Sequence, residues 1–336
     1  MPPFMENPAL PSGSRVLVTG ANGFIASHIV DQLLELGYNV RGTVRAPKPW
    51  LDDLFQPRHD VTRFESVILA DMNDAAALDG VLQDVSGIIH VASDVSMSPD
   101  SSVIAKTVTS TQLLLKYAAR HHSVSRVVLT SSSTAAVLPQ PNRPDITVTE
   151  DTWNDYAVAC AYDSTIPAAQ KPYLVYAASK TEGERQGWQW IADNKPGYVF
   201  NTVLPGTNFG KILHPNIGGS TMGLVRALLA GDSFPIKAIP PQWFVNVEDT
   251  ARLHITALLD RTVASERIFA FANPFNWTDV LEILHKNSNG DSDLPPIPEN
   301  EARDLSQVVP SRRAEHLLVQ SWGLSGWTSL EHSVLA

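Results

Sequence analysis

Cysteine is nearly absent from this chain, because Cys160 is the single cysteine among 336 residues. One thiol cannot form an internal disulfide framework, and such scarcity is typical of proteins that stay in a reducing compartment. We therefore expect a cytoplasmic location. Cys160 lies in an alanine-rich apolar stretch with no obvious base beside it, so we interpret it as a packing residue.

Other features are missing as well. The formal net charge is −10 and no basic run stands out, which argues against nucleic acid as a partner. No apolar run approaches the roughly 20 residues that a membrane helix needs. Residues 1–14 lack the basic and apolar segments of a signal peptide. The 10 histidines show no HExxH motif or clustered spacing, so we expect no catalytic metal.

What is present is an alternation of strand and helix patterns over the first two-thirds of the chain. Five apolar runs are typical of buried parallel strands: 40–44, 64–69, 87–91, 126–129 and 198–204. Helical patterns lie between them, including one that starts near Pro172 and must end before Pro196. This alternation predicts an α/β fold with a doubly wound (Rossmann) parallel sheet.

The texture changes after Pro205, where glycine and proline become frequent. We expect residues 1–205 to form a dinucleotide-binding domain that also receives part of 243–262. Residues 206–336 would form most of a smaller, interleaved substrate-binding region. Helices are predicted there at about 220–230 and 248–259.

A glycine turn joins the first strand to the first helix. Gly20 permits a tight turn, Gly23 lets a ligand approach the backbone, and the small Ala26 lets the helix pack on the strand. The helix N-terminus then presents free N–H groups and the positive end of its dipole to a pyrophosphate. The pattern predicts a dinucleotide site.

The end of the second predicted strand indicates which dinucleotide binds. An acidic residue there accepts a hydrogen bond from the ribose of NAD, whereas arginine accommodates the 2′-phosphate of NADP. This chain has Arg41 and Arg45 in that segment and no acid. Guanidinium groups bind phosphate bidentately, so NADPH is the predicted cofactor.

Tyr176 and Lys180 are four residues apart in a helical pattern and so share one face. A free tyrosine has a pKa of about 10, too high for efficient proton donation at neutral pH. A neighbouring cation favours tyrosinate, so we expect Lys180 to lower the pKa of Tyr176. The pair could then donate a proton to a carbonyl oxygen.

Hydroxyl side chains follow the apolar strand at 126–129. Thr130, Ser131, Ser132 and Ser133 come where a parallel α/β sheet places its ligands. They could bind a substrate oxygen, or they could cap the next segment of backbone.

Taken together, these motifs resemble the extended branch of the short-chain dehydrogenase/reductase superfamily, in particular its dihydroflavonol-reductase-like group and the fungal NADPH-dependent aldehyde and ketone reductases within it. The resembling stretches come in the family's order and cover nearly the whole chain: VLVTGANGFIASH, YNVRGTVR, RVVLTSSS, PYLVYAASKTEGER, NTVLPGTNFG and GLSGWTSLEHSV. One departure is Ser110-Thr111-Gln112-Leu113, where many relatives carry Gly-Thr-Leu-Asn with a relay asparagine.

The resemblance implies roles for individual residues. It implies a catalytic set of Ser132, Tyr176 and Lys180, in which Tyr176 is the acid, Lys180 also binds the nicotinamide ribose, and Ser132 binds the carbonyl oxygen. It also implies a cofactor-binding set beyond the two arginines, the tyrosine and the lysine: Gly20, Asn22, Gly23, Phe24, Ile25, Asp71, Met72, Val91, Ala92, Ser93, Pro205, Gly206 and Thr207.

The predicted function is NADPH-dependent reduction of aldehydes or ketones, by a monomer or homodimer. Two alternatives stay open from the residues alone: an NAD-dependent nucleotide-sugar epimerase or dehydratase of the same superfamily, and a non-catalytic NADP-sensing regulator. For the substrate cleft we expect contributions from Ser133, Gln242 and Trp243. Trp243 and the following Phe244 could equally pack into the core of the smaller region.

Overall fold

The computed structural model describes residues 2–59, 62–288 and 293–336. Within them the strands are, in chain order, β1 (Arg15–Thr19), β2 (Asn39–Val44), β3 (Phe64–Ile68), β4 (Gly87–His90), β5 (Arg126–Thr130), β6 (Thr147–Val148), β7 (Val199–Pro205), β8 (Thr207–Phe209), β9 (Gln242–Asn246), β10 (Arg267–Ala270), β11 (Asn273–Phe275) and β12 (Gln307–Val308).

The helices are α1 (Phe24–Glu35), α2 (Pro49–Phe55), α3 (Ala75–Val81), α4 (Ser102–Ala118), α5 (Asp155–Tyr162), α6 (Lys171–Asn194), α7 (Met222–Leu229), α8 (Phe234–Ala238), α9 (Val247–Leu259), α10 (Trp277–Asn287), α11 (Ser311–Trp322) and α12 (Leu330–Leu335). Two short 3-10 helices, Pro3–Glu6 and Ser133–Ala135, complete the set in the described residues.

Seven strands form the main sheet, in the order β10-β7-β5-β4-β1-β2-β3. Every neighbouring pair in it is parallel. Both faces are covered, which explains why β4 and β5 are buried at every position. The prediction of a doubly wound parallel sheet is confirmed. Because β1 pairs with both β2 and β4, the strand order reverses at β1, where such sheets bind ligands.

Local chemistry explains where the longest helix begins and ends. Pro172 lies in the first turn of α6, where its missing N–H costs nothing. Lys195 ends the helix in a left-handed conformation with φ of 45°, and Pro196 cannot continue it. Gly183 and Gly187 let α6 pack closely against α4, since a Cβ at Gly183 would lie 3.0 Å from Thr107 Cγ2.

The second part of the chain forms a three-stranded sheet, β11-β9-β8, but it also returns to the main sheet. Helix α9 packs on α1 and β7, and β10 forms the edge of the main sheet. This return is longer than the predicted 243–262, because β10 lies beyond it. Buried Arg126 of β5 joins the two parts, with hydrogen bonds to the carbonyls of Ala257, Leu258 and Val263 at 2.8–3.2 Å.

The connection between residues 135 and 171 contains α5. Cys160 lies in this helix, buried in a small cluster with Ala157, Leu174 and Ala177. This buried position fits the packing role that we inferred for Cys160. Among the described residues, no helix has both the length and the apolar character needed to cross a membrane.

Candidate active site

The predicted site residues follow the ends of six parallel strands. Because parallel strands present their carboxyl ends at one edge, these residues line the same edge of the main sheet. In spatial order they are Pro205–Thr207 at β7, Ser132 at β5, Val91–Ser93 at β4, Gly20–Ile25 at β1, Arg45 at β2 and Asp71 at β3. We call this edge the carboxyl edge.

The turn after β1 packs closely against the end of β4 and is hydrogen-bonded to β2. Gly20 has φ of 67°, and a Cβ there would lie 3.2 Å from the Cα of Ala92. Thr43 fixes the turn from β2, since its hydroxyl accepts from the N–H of Gly20 and its carbonyl from the N–H of Ala21, at 3.1 and 3.0 Å. Thr43 was not among the predicted site residues, because its only signal in the sequence is its position near the end of β2.

Helix α1 begins at Phe24 without a side-chain cap, because its N-cap residue is Gly23. The first-turn N–H groups of a helix have no partner within the helix. An uncapped helix N-terminus behind a glycine turn suits a pyrophosphate, so these residues fit a dinucleotide. Asn22 and Ile25 belong to the same turn and first helical turn.

The end of β4 is fixed by Thr19 of β1. The Thr19 hydroxyl accepts from the N–H groups of Val91 and Ala92, each at 3.0 Å. It also lies 2.8 Å from Nδ1 of His90, which is buried. Burial, and secondarily the charge of Lys180, lower the pKa of His90 to about 3, so this histidine is neutral at ordinary pH.

The hydroxyls after β5 have different partners. Thr130 Oγ1 lies 2.8 Å from His254 Nε2, and Ser131 Oγ donates to Glu184 at 2.7 Å. Ser132 Oγ accepts from the N–H and the hydroxyl of Thr134, at 3.2 and 3.0 Å. Of these three side chains, Ser132 is the one with a hydrogen bond to Tyr176. Ser133, partly buried, begins the short 3-10 helix that follows.

Tyr176 differs from the sequence-based prediction in one respect. Burial raises the pKa of Tyr176 above the usual value of tyrosine, and the hydrogen bond with Ser132 offsets only part of that rise. The expected lowering by Lys180 is therefore wrong for the protein by itself. The physical reason is that burial removes water from the phenolate and so disfavours the charged form. The hydroxyl is protonated at neutral pH, as that of a free tyrosine is, and burial by itself makes it a weaker acid.

The ammonium of Lys180 is buried and donates to the carbonyl of Thr130 at 3.3 Å. Burial lowers the pKa of Lys180 to about 8, while the charge of Glu184 acts in the opposite direction. Lys180 thus lies between the end of β5 and its own helix. It is still mainly protonated at neutral pH.

The two predicted phosphate-binding arginines, one within β2 and one just after it, have different surroundings. Arg41 is held inside the fold: its Nε donates to Glu65 at 2.8 Å, and Nη1 donates to the carbonyls of Val81 and Gln83. The prediction that Arg41 binds a 2′-phosphate is wrong, because these distant partners engage its guanidinium. Arg45 lies two residues beyond Thr43 and is exposed at the carboxyl edge. Hydrogen bonds from Ser96 lower the pKa of Asp94, and the charge of Arg45 makes a smaller contribution in the same direction.

The residues after β3 flank the same end of the edge. Asp71 is exposed, and one of its carboxylate oxygens accepts from the backbone N–H of Asn73 at 2.9 Å. Met72 is partly buried and packs on the core. The partly exposed Lys48 follows Arg45 by three residues. Its cationic side chain was not singled out by the sequence analysis.

Backbone packing fixes the segment after β7. A Cβ at Gly206 would lie 2.7 Å from the carbonyl oxygen of Trp243, so only glycine fits there. Its N–H donates to Ala270, and its carbonyl accepts from the side chain of Asn208 at 3.0 Å. Thr207 pairs in parallel with Phe244. This segment therefore has little freedom to move.

The two predicted cleft residues on β9 do not face the same surface. Adjacent strand residues point to opposite faces, so Gln242 and Trp243 cannot line the same surface. The indole N–H of Trp243 donates to Ser306 at 3.0 Å, and its ring packs on Phe271 and borders a groove of about 650 Å³ with residues 306–309. Phe244 is buried among aromatic rings in the core. Gln242 is partly exposed and bonds only locally, to the carbonyl of Pro240.

The departure at residues 110–113 has a structural role. Thr111 of α4 is buried and packs against Gly187 of α6, where a Cβ would lie 3.4 Å from its Cγ2. Helix α4 contains no asparagine. An asparagine relay at this position is therefore not available to the chain.

The chain is similar to known proteins over nearly its whole length. A model of the NAD dependent epimerase/dehydratase family matches residues 16–270. "Ketoreductase adrE" of Penicillium rubens is 46% identical over 334 residues, which cover 98% of this chain and 97% of that protein. "Aldehyde reductase 2" of Sporidiobolus salmonicolor is 38% identical over 341 residues, covering 98% of this chain and 96% of that protein.

A solved structure is similar over nearly the same extent. It is the yeast methylglyoxal/isovaleraldehyde reductase Gre2 complexed with NADPH, with a TM-score of 0.79. The two chains are 25% identical, and the match covers 95% of this chain and 96% of the yeast one. The similarity therefore extends well beyond the carboxyl edge.

Proposed function

The chain belongs to the NAD dependent epimerase/dehydratase family, and we propose that its activity within that family is NADPH-dependent reduction of ketones and aldehydes to alcohols. The observation that carries the proposal is that Ser132, Tyr176 and Lys180 gather at the end of β5, on the same carboxyl edge as the uncapped start of α1. Relatives named as a ketoreductase and an aldehyde reductase, each covering 98% of this chain, support the same activity.

In this proposal, Tyr176 is the general acid. The hydride that the carbonyl carbon of the substrate receives would come from bound NADPH. The phenol of Tyr176, protonated at neutral pH, donates its proton to the oxygen that gains charge. Ser132 also donates a hydrogen bond to that oxygen, and such donors stabilise developing charge best where water is excluded. Lys180, mainly protonated below its pKa of about 8, stabilises the tyrosinate left behind.

The cofactor would lie along the carboxyl edge. The turn at Gly20–Ile25 would hold the pyrophosphate, and Arg45 the 2′-phosphate. Asp71 and Met72 would lie beside the adenine, while Val91–Ser93, Lys180 and Pro205–Thr207 would contact the nicotinamide half. In this assignment residues 1–205 bind mainly the cofactor, and residues 206–336 mainly the substrate.

Two further proposals concern the protein's setting. The single, buried Cys160 needs no oxidising compartment, which supports a cytoplasmic location that fractionation of cells would test.

The predicted assembly is a monomer or a homodimer, and sedimentation equilibrium would distinguish a 36.6 kDa species from one of twice that mass.

An absorbance assay tests the activity directly. The protein is mixed with NADPH and a panel of aryl ketones and aldehydes, and loss of the reduced-nicotinamide band is followed with time. We expect oxidation of NADPH in proportion to alcohol formed, and slower oxidation of NADH. Binding of NADPH without turnover of any carbonyl compound would favour a cofactor-sensing regulator, and conversion of a nucleotide sugar with NAD would favour an epimerase or dehydratase.

A further inference from the structure

A buried carboxylate lies directly behind the proposed catalytic residues. Glu184 is one helical turn after Lys180 on α6, and its side chain is fully buried. Its oxygens accept from Ser131 Oγ and Thr202 Oγ1, each at 2.7 Å. The indole N–H of Trp188 is a weaker donor at 3.4 Å. A charged group buried this completely is costly unless it is well paired.

The charge partner of Glu184 is Arg267, which lies on β10, an edge strand of the main sheet. Arg267 of β10 donates to Glu184 through Nε at 2.8 Å and through Nη2 at 3.3 Å. The guanidinium lies 3.7 Å from the ring centre of Trp153, and Nη1 donates to the carbonyl of Thr152 at 3.0 Å. Arg267 is therefore held on several sides.

Two links lead from Glu184 to the reacting groups. The first is a hydrogen bond: Ser131, which Glu184 holds, is the peptide neighbour of Ser132. The second is electrostatic, because Glu184 favours the charged form of Lys180. The other titratable groups that face Lys180 are His90 on β4, which is neutral, and Tyr176 on its own helix. Glu184 is thus the nearby anion that supports the Lys180 cation within the described residues.

We propose that Glu184 is a positioning residue for the carbonyl reduction, holding the side chain of Ser131 next to Ser132 and placing a negative charge one helical turn after Lys180. This inference rests on the proposed function. Stability alone would not require the Glu184–Arg267 pair, since a buried ion pair can often be replaced by apolar residues without loss of stability. What an apolar pair could not do is hold Ser131 and supply a negative charge beside Lys180.

Glu184→Gln is the main test. The amide keeps the size of the side chain but removes its charge, so the pKa of Lys180 should fall further below about 8. A lysine that deprotonates earlier loses its charge at lower pH. We expect the alkaline limb of the kcat profile to move down by about 1 pH unit, a roughly tenfold loss of kcat on that limb. The KM of the ketone should change little.

Thr202→Val is the matched control, because it removes one neutral hydrogen bond to the same carboxylate and leaves its charge. Its alkaline limb should stay where the native one lies. Equal shifts in both variants, or none in Glu184→Gln, would overturn the electrostatic part of the proposal.

Ser131→Ala tests the other link and leaves the Glu184–Arg267 pair intact, so it remains informative if Glu184→Gln does not fold. We expect a several-fold lower kcat with nearly unchanged Tm and NADPH affinity. Native kcat in this variant would show that Glu184 does not act through Ser131.

NADPH titration by fluorescence at pH 6 and pH 9 separates this inference from the proposed function. If Lys180 contacts the cofactor, Glu184→Gln should lose several-fold more affinity between the two pH values than Thr202→Val does, whether or not any ketone is reduced. Failure of the native protein to reduce carbonyl compounds would count against the proposed function alone. Identical pH dependence of NADPH affinity in both variants would count against the inference.

Discussion

The two ends of the carboxyl edge are built differently. At the end formed by β5 and α6, Ser132 and Lys180 are buried, and hydrogen bonds tie them to neighbouring groups. At the end formed by β2 and β3, Arg45 and Asp71 are exposed. The first end is arranged before any ligand arrives. The second presents charges whose strongest partner would be the ligand itself.

This difference suits the buried end to the chemical step and the exposed end to recognition of the cofactor. A catalytic hydrogen bond is most effective when its donors are fixed and dry, because no reorganisation is then needed during the reaction. An exposed guanidinium gains its full bidentate hydrogen bonding only when a phosphate is present. Substitutions at the buried end should therefore act mainly on kcat, and those at the exposed end on cofactor affinity.

The largest effect should come from Tyr176→Phe. The ring is retained but the proton donor is lost, and general acids typically contribute about 10²–10⁴-fold to turnover. We expect kcat to fall by that range, measured from NADPH oxidation with a ketone, while NADPH affinity from fluorescence titration survives. Near-normal turnover would show that another group donates the proton.

Arg45→Ala should have an intermediate effect confined to the cofactor. The loss of a charge-assisted hydrogen bond to the 2′-phosphate should reduce the preference for NADPH over NADH about tenfold. Arg41→Ala is the matched control from the preceding strand β2, since the guanidinium of Arg41 binds Glu65. It should lower Tm but leave the cofactor preference intact. A loss of preference with Arg41→Ala alone would reverse the assignment.

The smallest effect is expected outside both ends, on β9. Gln242 is partly exposed and loosely held, so Gln242→Ala should alter relative kcat/KM among ketones by about fivefold, equivalent to roughly 1 kcal/mol. Trp243→Ala should instead lower Tm, because the indole bonds to Ser306. If Trp243 controls ketone preference and Gln242 does not, the substrate lies on the other face of β9.

Local patterns were enough to predict the main sheet and the placement of the site along its edge. The bounds of α6 follow from Pro172 and Pro196, and the turn at Gly20 from its glycines, so these features could be read within a few residues. The apolar run at 126–129 likewise predicted that the hydroxyls of Thr130–Ser133 come at the end of β5.

What the sequence did not reveal depends on contacts between distant segments. The position of Arg41 is decided by Glu65 of the next strand and by two loop carbonyls. The raised pKa of Tyr176 reflects burial, which spacing cannot report. Glu184 had a visible signal, its spacing of four residues from Lys180, but its partner Arg267 lies 83 positions away.

The return of α9 to the main sheet has a consequence for biosynthesis. The guanidinium of Arg126 finds carbonyl partners 131 to 137 residues later in the chain. Until the ribosome has released that stretch, Arg126 of β5 lacks these carbonyl acceptors and must stay hydrated, and one face of the sheet stays uncovered. Because such distant contacts form slowly, nascent chains that stop near residue 205 should aggregate instead of folding, and should need chaperones until α9 emerges.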